Sequence, residues 1–282
     1  MFIVKESICL QGNSVKEDRV GADIKYIFAI DGASGLNGCH VTPADSDAAW
    51  LAEGLRSYLS EHLSDENRTI SEIVSHGAEL LREQYDVYWN GKEQGQADYP
   101  SAGVAIFRIC GEWLEYFALG DCDAILEMQN GEVLVLEETV LSALDRSALA
   151  QMVEYAKQHG CTMLEARAAL HDVLVRNRNL RNTHNGYWIF DPTGVGVPHA
   201  RIGRWPLAEV KGIAVASDGF IQLVETFGVV PNRVELFHLM KRKGLHTMAE
   251  ELFAMQDADP NCMRYPRFKL RDDTSAVIAL VE

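Results

Sequence analysis

The chain has 282 residues, 47% hydrophobic and 24% charged, enough to bury a sizeable core in one large domain or two small ones. Its formal net charge of −15 argues against nonspecific binding to nucleic acid or to an anionic membrane. The six cysteines form no Cys-x-x-Cys or Cys/His cluster, which argues against structural zinc, and no apolar run reaches membrane-spanning length. The start, Met1 to Glu6, is too short and too quickly charged for a secretory signal, so the expectation is a reduced, cytoplasmic protein.

Phe2–Leu10 and residues 25–30 are rich in β-branched and apolar residues and read as strands. Thr42 and Pro43 read as a helix start, with Asp45 and Asp47 favourable near its N-terminus. Trp50, Leu51, Leu55 and Leu59 continue it at helical spacing to His62. A second helix spans roughly 69–88, and a loop follows over 90–100. Strands over 102–110, 113–119, 124–128 and 133–136, joined by compact turns, form a meander. The period turns helical over 146–179. Strands return at 186–190 and 213–216, helices cover about 220–226 and 234–255, and Thr274–Val281 closes the chain as a strand. This order suggests an α+β protein, and no repeat or linker divides residues 1–282, which read as one domain.

Three aspartates stand in strand-flanked contexts. Asp31 and Asp218 each end an apolar run and meet a glycine, whereas Asp272 precedes an apolar run. Taken singly, each Asp-Gly also reads as a turn. Three such carboxylates brought together would suit hard divalent cations. With Glu17-Asp18, Asp31-Gly32, Ser101-Ala102-Gly103, Gly120-Asp121-Cys122-Asp123, Ser217-Asp218-Gly219 and Asp272-Asp273 in this order, the chain resembles the metal-dependent Ser/Thr protein phosphatases, the PPM or type 2C class. The resemblance spans nearly the whole chain and is weakest from about Glu137 to Tyr187.

That resemblance implies two packed antiparallel β-sheets flanked by antiparallel helix pairs, a four-layer αββα sandwich. It implies a Mn²⁺- or Mg²⁺-dependent phosphomonoester hydrolase, with a phosphorylated protein as substrate and a cognate kinase as a further partner. Asp31 would bridge two ions and the Gly32 carbonyl would bind one, with Asp218 and Asp272 completing the other position. Asp121, with Asp218, matches a weaker third-metal position. Glu17 and Asp18 would hold waters around the metals, and Asp273 reads as structural, capping loop amides.

Two residues depart from the family pattern. Asn13 stands where many members carry a phosphate-gripping arginine, and Ala33 where many offer a histidine as general acid. Candidate replacements for the arginine are Arg176, Arg178 and Arg181, Arg201 with Arg204, and Arg19, although a solvated helix face accounts for the first run. Cys39 and Cys122 lie near the motifs and are candidates for oxidation sensitivity, or simply small buried residues. The departures leave a rival reading open: a regulatory or binding protein on the phosphatase fold, with little turnover.

Overall fold

The computed structural model describes residues 1–90 and 96–282. One five-stranded antiparallel sheet has the spatial order β1 (Phe2–Leu10), β10 (Thr274–Val281), β9 (Val210–Ala216), β6 (Asp123–Met128) and β7 (Val133–Leu136). The other has the order β2 (Arg19–Ala22), β3 (Tyr26–Ala33), β4 (Ser101–Cys110), β5 (Trp113–Leu119) and β8 (Arg201–Pro206).

Alternation along β3 shows how the layers stack. Ile27 and Ala29 face the first sheet, where they meet Val215, Val277 and Ala279. Phe28 and Ile30 face the opposite way, against α1 (Asp47–His62) and α2 (Ile70–Trp89). A strand covered on both faces is apolar throughout, which is why its sequence runs unbroken from Tyr26 to Ile30. The outer face of the first sheet packs Ile125, Ala214 and Ile278 against α6 (Asp218–Glu225), α7 (Arg233–Lys243) and α8 (Leu245–Asp257). The result is the αββα layering. Each fully buried Ile or Phe in it contributes about 1.5–3 kcal/mol.

Several boundaries differ from the sequence reading because carboxylate side chains, one of them distant in the chain, gather backbone amides at helix starts and in the loops before them. α1 starts at Asp47, not at Thr42, and Ser46 caps it by accepting from Ala49 N at 3.0 Å. The buried Asp47 carboxylate instead gathers Val41 N, Thr42 N and Thr42 Oγ1, which folds residues 41–46 back ahead of the helix. The helical stretch expected from 146 begins at Val140, because the Glu138 side chain accepts from Val140 N and Leu141 N at 2.7 and 2.6 Å. It divides into α3 (Val140–His159), α4 (Met163–Ala169) and α5 (His171–Arg178).

Residues 234–255 form two helices, parted at Gly244 (φ 83°), with Glu6 accepting from Leu245 N and His246 N at the start of the second. Residues 186–190 form isolated bridges rather than a strand, since Ile189 N donates to the Asn182 side chain at 2.9 Å and Tyr187 O accepts from Asn182 N at 2.7 Å. The short strands β2 and β8 were not read from the sequence. Of the expected loop over 90–100, residues 91–95 lie outside the described residues and 96–98 make a single 3-10 turn.

Candidate functional site

The site forms where the two sheets meet at one end. β3 sets Asp31 opposite Gly103 and Gly32 opposite Ala102. The chain crosses from one sheet to the other through Gly120, Asp121 and Cys122, between β5 and β6. Asp218 is the first residue of α6, immediately after β9, rather than a strand end. Ser217 N donates to Ser275 O at 2.9 Å and Ser275 N to Ser217 Oγ at 3.1 Å, tying that turn to the start of β10, where Asp272 lies. Asp31, Gly32, Asp121, Asp218 and Asp272 line one cavity of ≈ 170 Å³. Within it Asp218 N donates to Asp31 Oδ2 at 3.3 Å.

The two Asp-Gly pairs are not turns: Asp31 and Gly32 lie within β3, and Asp218 and Gly219 open α6. A Cβ at Gly32 would lie 2.6 Å from Glu17 O, and one at Gly219 would lie 1.9 Å from Asp273 O. Glycine is needed there for close approach of the chains that carry the carboxylates.

Asp273 organises the supporting loop. Its Oδ1 accepts from Gly12 N at 2.9 Å and Asn13 N at 3.4 Å, and its Oδ2 from Glu17 N at 2.5 Å and Asp18 N at 3.3 Å. This is the amide-capping role read from the sequence. Glu17 accepts from Ser34 Oγ at 2.5 Å and Ser46 Oγ at 2.6 Å. Asp18 is buried, and its Oδ2 has no hydrogen-bond partner among the described residues. Asn13 turns its amide to Asp272, with Nδ2 to Oδ1 at 3.2 Å.

Three groups in the cavity were missed in the sequence. Lys269 Nζ lies 2.9 Å from Asp272 Oδ1. Asp145 enters from α3, on the stripe of Leu141, Ala148 and Met152, so a carboxylate in an apolar stripe was the available signal. Arg167 joins from α4, with its buried Nε unpartnered among the described residues. Arg178, read as part of a solvated face, also lines the cavity, and its Nη1 donates to Ser34 O at 3.3 Å.

The other basic candidates are engaged elsewhere. Arg19 pairs with Glu53 at 2.6 Å, Arg181 is buried and donates to Tyr99 O, Arg201 donates to Gly120 O, and Arg204 stacks over Trp113. Trp188 is half-buried and stacks on His199 at 3.5 Å. His40 Nε2 bonds Ala44 O and does not line the cavity. Burial, reinforced by Asp31 and Asp121, pushes the Cys122 thiol well up, which removes it as an oxidation-sensitive group.

The carboxylates raise one another. Burial in surrounding protein comes first for each, even where the open cavity leaves the side chain reachable by solvent. Asp31 is pushed well above the usual carboxylate range by burial and then by Asp218, Asp18 and Asp121. Asp121 follows through burial, Asp218 and Asp145, and Asp218 through burial and Asp272. Asp18 is pushed to about 8 by burial, with the Asp273 and Asp272 charges adding to the rise, and Asp145 to about 7 by burial and Asp218, against the pull of Arg178. Burial penalises the Lys269 ammonium, but Asp272, Asp218 and Asp31 more than compensate and hold it above its ordinary value.

An oxygen-only donor set with excess negative charge fits hard divalent cations, and the unpartnered Asp18 oxygen fits a water held beside them. Among the described residues no group of three His, Cys, Asp or Glu side chains is already arranged to hold an ion. The donors converge on a shared cavity rather than a finished cage.

A pH prediction follows from the sign of these shifts. With raised carboxyl pKa values the folded chain binds protons that the unfolded chain releases, so stability falls as pH rises. In chelator, unfolding free energy should decline from about pH 4, where these carboxyls ionise in the unfolded chain, and level off towards about pH 8, once Asp145 and then Asp18 have ionised in the folded one. Mn²⁺ should flatten that slope. Denaturant titrations across this range, with and without Mn²⁺, measure it, and a flat chelator profile would mean the carboxylates are not held against one another.

The family profile described as Protein phosphatase 2C matches residues 8–255. No curated protein sequence matches the chain. Among solved structures, the serine/threonine phosphatase PstP/Ppp of Mycobacterium tuberculosis superposes with a TM-score of 0.56 at 14% identity, over 100% of this chain and 98% of that one. A serine/threonine phosphatase from Staphylococcus aureus gives 0.53 at 13% identity, over 99% and 96%. The catalytic domain of PstP in complex with 2 manganese ions gives 0.54 at 14% identity, over 100% and 98%. At these identities the superpositions speak for the fold. Among the described residues no helix is long and apolar enough to cross a membrane. With the profile covering most of its length and the same layers in its structure, the chain belongs to the protein phosphatase 2C family.

Proposed function

We propose that this chain, acting as one domain over residues 1–282, hydrolyses phosphoserine or phosphothreonine in proteins with the help of Mn²⁺ or Mg²⁺. The observation that carries this reading is the convergence of Asp31, Asp121, Asp218 and Asp272, from both sheets, on one cavity. That cavity adjoins a groove of ≈ 760 Å³ lined by α3 and α6, which suits an extended peptide bearing the phosphate.

In this reading Asp31 and the Gly32 carbonyl would hold divalent ions on the β3 side of the cavity. Asp218 and Asp272 would serve a second ion, and Asp121 with Asp218 a weaker third. Glu17 and Asp18 hold waters. Divalent ions held there would supply charge to neutralise the ester dianion and a water of lowered pKa as nucleophile. Arg178 and Arg167 take the place of the arginine that Asn13 lacks, each guanidinium offering paired donors to phosphate oxygens from the cavity wall. Ala33 has no proton to give, so the leaving group takes its proton from solvent entering by the groove.

A small aryl phosphate should be hydrolysed with Mn²⁺ and not in chelator, and a phosphothreonine peptide should be hydrolysed under the same conditions. Absence of turnover at saturating Mn²⁺ would favour the regulatory or binding reading. One observation supports that alternative: Asp272 Oδ1 is already held by Lys269 and Asn13.

A further inference from the structure

Asp145, Asp218 and Lys269 line both the carboxylate cavity and the groove of ≈ 760 Å³, so the two spaces are continuous. One wall of the groove is α3, from the stretch where the sequence departs most from the family pattern. Arg146, Ala150, Val153 and Lys157 recur on it at helical spacing, which sets them on one stripe along the groove. The middle of that stripe is apolar and its ends are basic. Ile221 of α6 stands on the facing wall, and the loop after α8 adds Phe268. The buried Arg267 fixes that loop: its Nη1 donates to Asp259 Oδ2 at 2.9 Å, its Nη2 to Gln256 O at 2.9 Å and its Nε to Leu270 O at 3.0 Å.

The charges divide along the groove. Asp121, Asp145, Asp218 and Asp272 belong to its cavity end. Asp123 and Glu225 are both tied to Arg233, and Glu154 accepts from Gln158 Nε2 at 2.7 Å. Arg146 and Lys157 are exposed and have no ion-pair partner among the described residues. Along α3, Leu149, Val153 and Lys157 lie about 6, 12 and 18 Å beyond Asp145. An extended peptide advances about 3.3 Å per residue, so these three meet side chains about two, four and five to six residues from a phosphoresidue seated at the cavity.

We propose that this groove selects phosphopeptides by the residues flanking the phosphate: an apolar side chain about two to four residues away packs against Leu149, Val153 and Phe268, and an acidic side chain about five to six residues away pairs with Lys157. The inference rests on the reading of the adjoining cavity as the seat of a protein-bound phosphate, and goes further in naming what accompanies that phosphate. The apolar contact removes surface from water and supplies affinity. The Lys157 pair, on an exposed rim, sets which peptide is preferred.

The probes are synthetic phosphothreonine peptides, given to the full chain with Mn²⁺. The parent peptide carries Leu at about the third and Glu at about the fifth residue from the phosphothreonine, and is made with these on the N-terminal or on the C-terminal side. One control replaces the Leu with Gly and another the Glu with Lys. On one of the two sides, the Gly control should lose on the order of tenfold in kcat/KM and the Lys control about fivefold. In Lys157→Glu the preference between the Glu and Lys peptides should reverse, a ratio that does not depend on how much of the variant is folded. Val153→Ala should lose most of the preference for Leu over Gly. Equal kcat/KM for all peptides in the wild type overturns the groove assignment and leaves the phosphatase reading intact. If no peptide is hydrolysed, the phosphatase reading falls and calorimetric binding of the same peptides decides: the same order of preference upholds the groove, and equal or absent binding overturns it.

Discussion

Asp218→Asn is expected to lower Mn²⁺-dependent hydrolysis of a phosphomonoester on the order of 10²–10³-fold, the effect of losing several kcal/mol of charge stabilisation. The same change is expected to raise the melting temperature in chelator. The amide is nearly isosteric, but it removes a negative charge from a site where Asp31, Asp121 and Asp218 repel one another. An amide can also donate to Asp31 Oδ2, which already accepts from the backbone of residue 218. Opposite signs for activity and stability separate loss of a ligand from loss of fold, and they are what a site kept strained for function predicts. Steady-state kinetics with Mn²⁺ and calorimetric melting in chelator are the two measurements. Activity within a few-fold of wild type would remove Asp218 from the chemistry, and a lower melting temperature would show that its carboxylate serves the fold.

What could be read in the sequence was what is local. Asp31 and Asp218 follow apolar runs because those runs are strands buried on both faces, so their positions announced themselves. The α2 start was equally plain, since Thr69 and Glu72 form a reciprocal cap within one turn. What escaped was decided by groups far apart in the chain. Glu6 caps α8, and Asp47 ties the loop before α1 to Tyr85. Asp145, Arg167 and Arg178 come from the stretch where the family resemblance is weakest, yet they form one wall of the cavity. Lys269 gave no signal of its own, because a lysine three residues before an aspartate is ordinary until Arg267 is seen to fix the loop.

The largest stability effect is expected at Asp273, next to a proposed ligand but turned away from the cavity. One carboxylate holds four backbone amides across the loop from Gly12 to Asp18. Asp273→Ala leaves those amides without a partner in a place with little room for water, since Asp273 itself is only 3% exposed. Hydrogen bonds to a charged group contribute about 1.5–3 kcal/mol each, and the losses are not additive, so the expected cost is about 3–5 kcal/mol. That corresponds to a fall in melting temperature of roughly 10 °C for a chain of this size.

Asp273→Asn sharpens the test. Its amide oxygen can serve one pair of N–H donors, but its NH₂ then faces the other pair, donor against donor. The near-isosteric change should therefore cost more than half as much as the alanine. It should also weaken Mn²⁺ binding, because Glu17 and Asp18 are held in place through their own amides. Chemical denaturation in chelator measures the first effect and calorimetric Mn²⁺ titration the second. An Asn variant as stable as the wild type would mean that the loop is positioned by the serine contacts of Glu17, Ser34 Oγ and Ser46 Oγ, and not by Asp273.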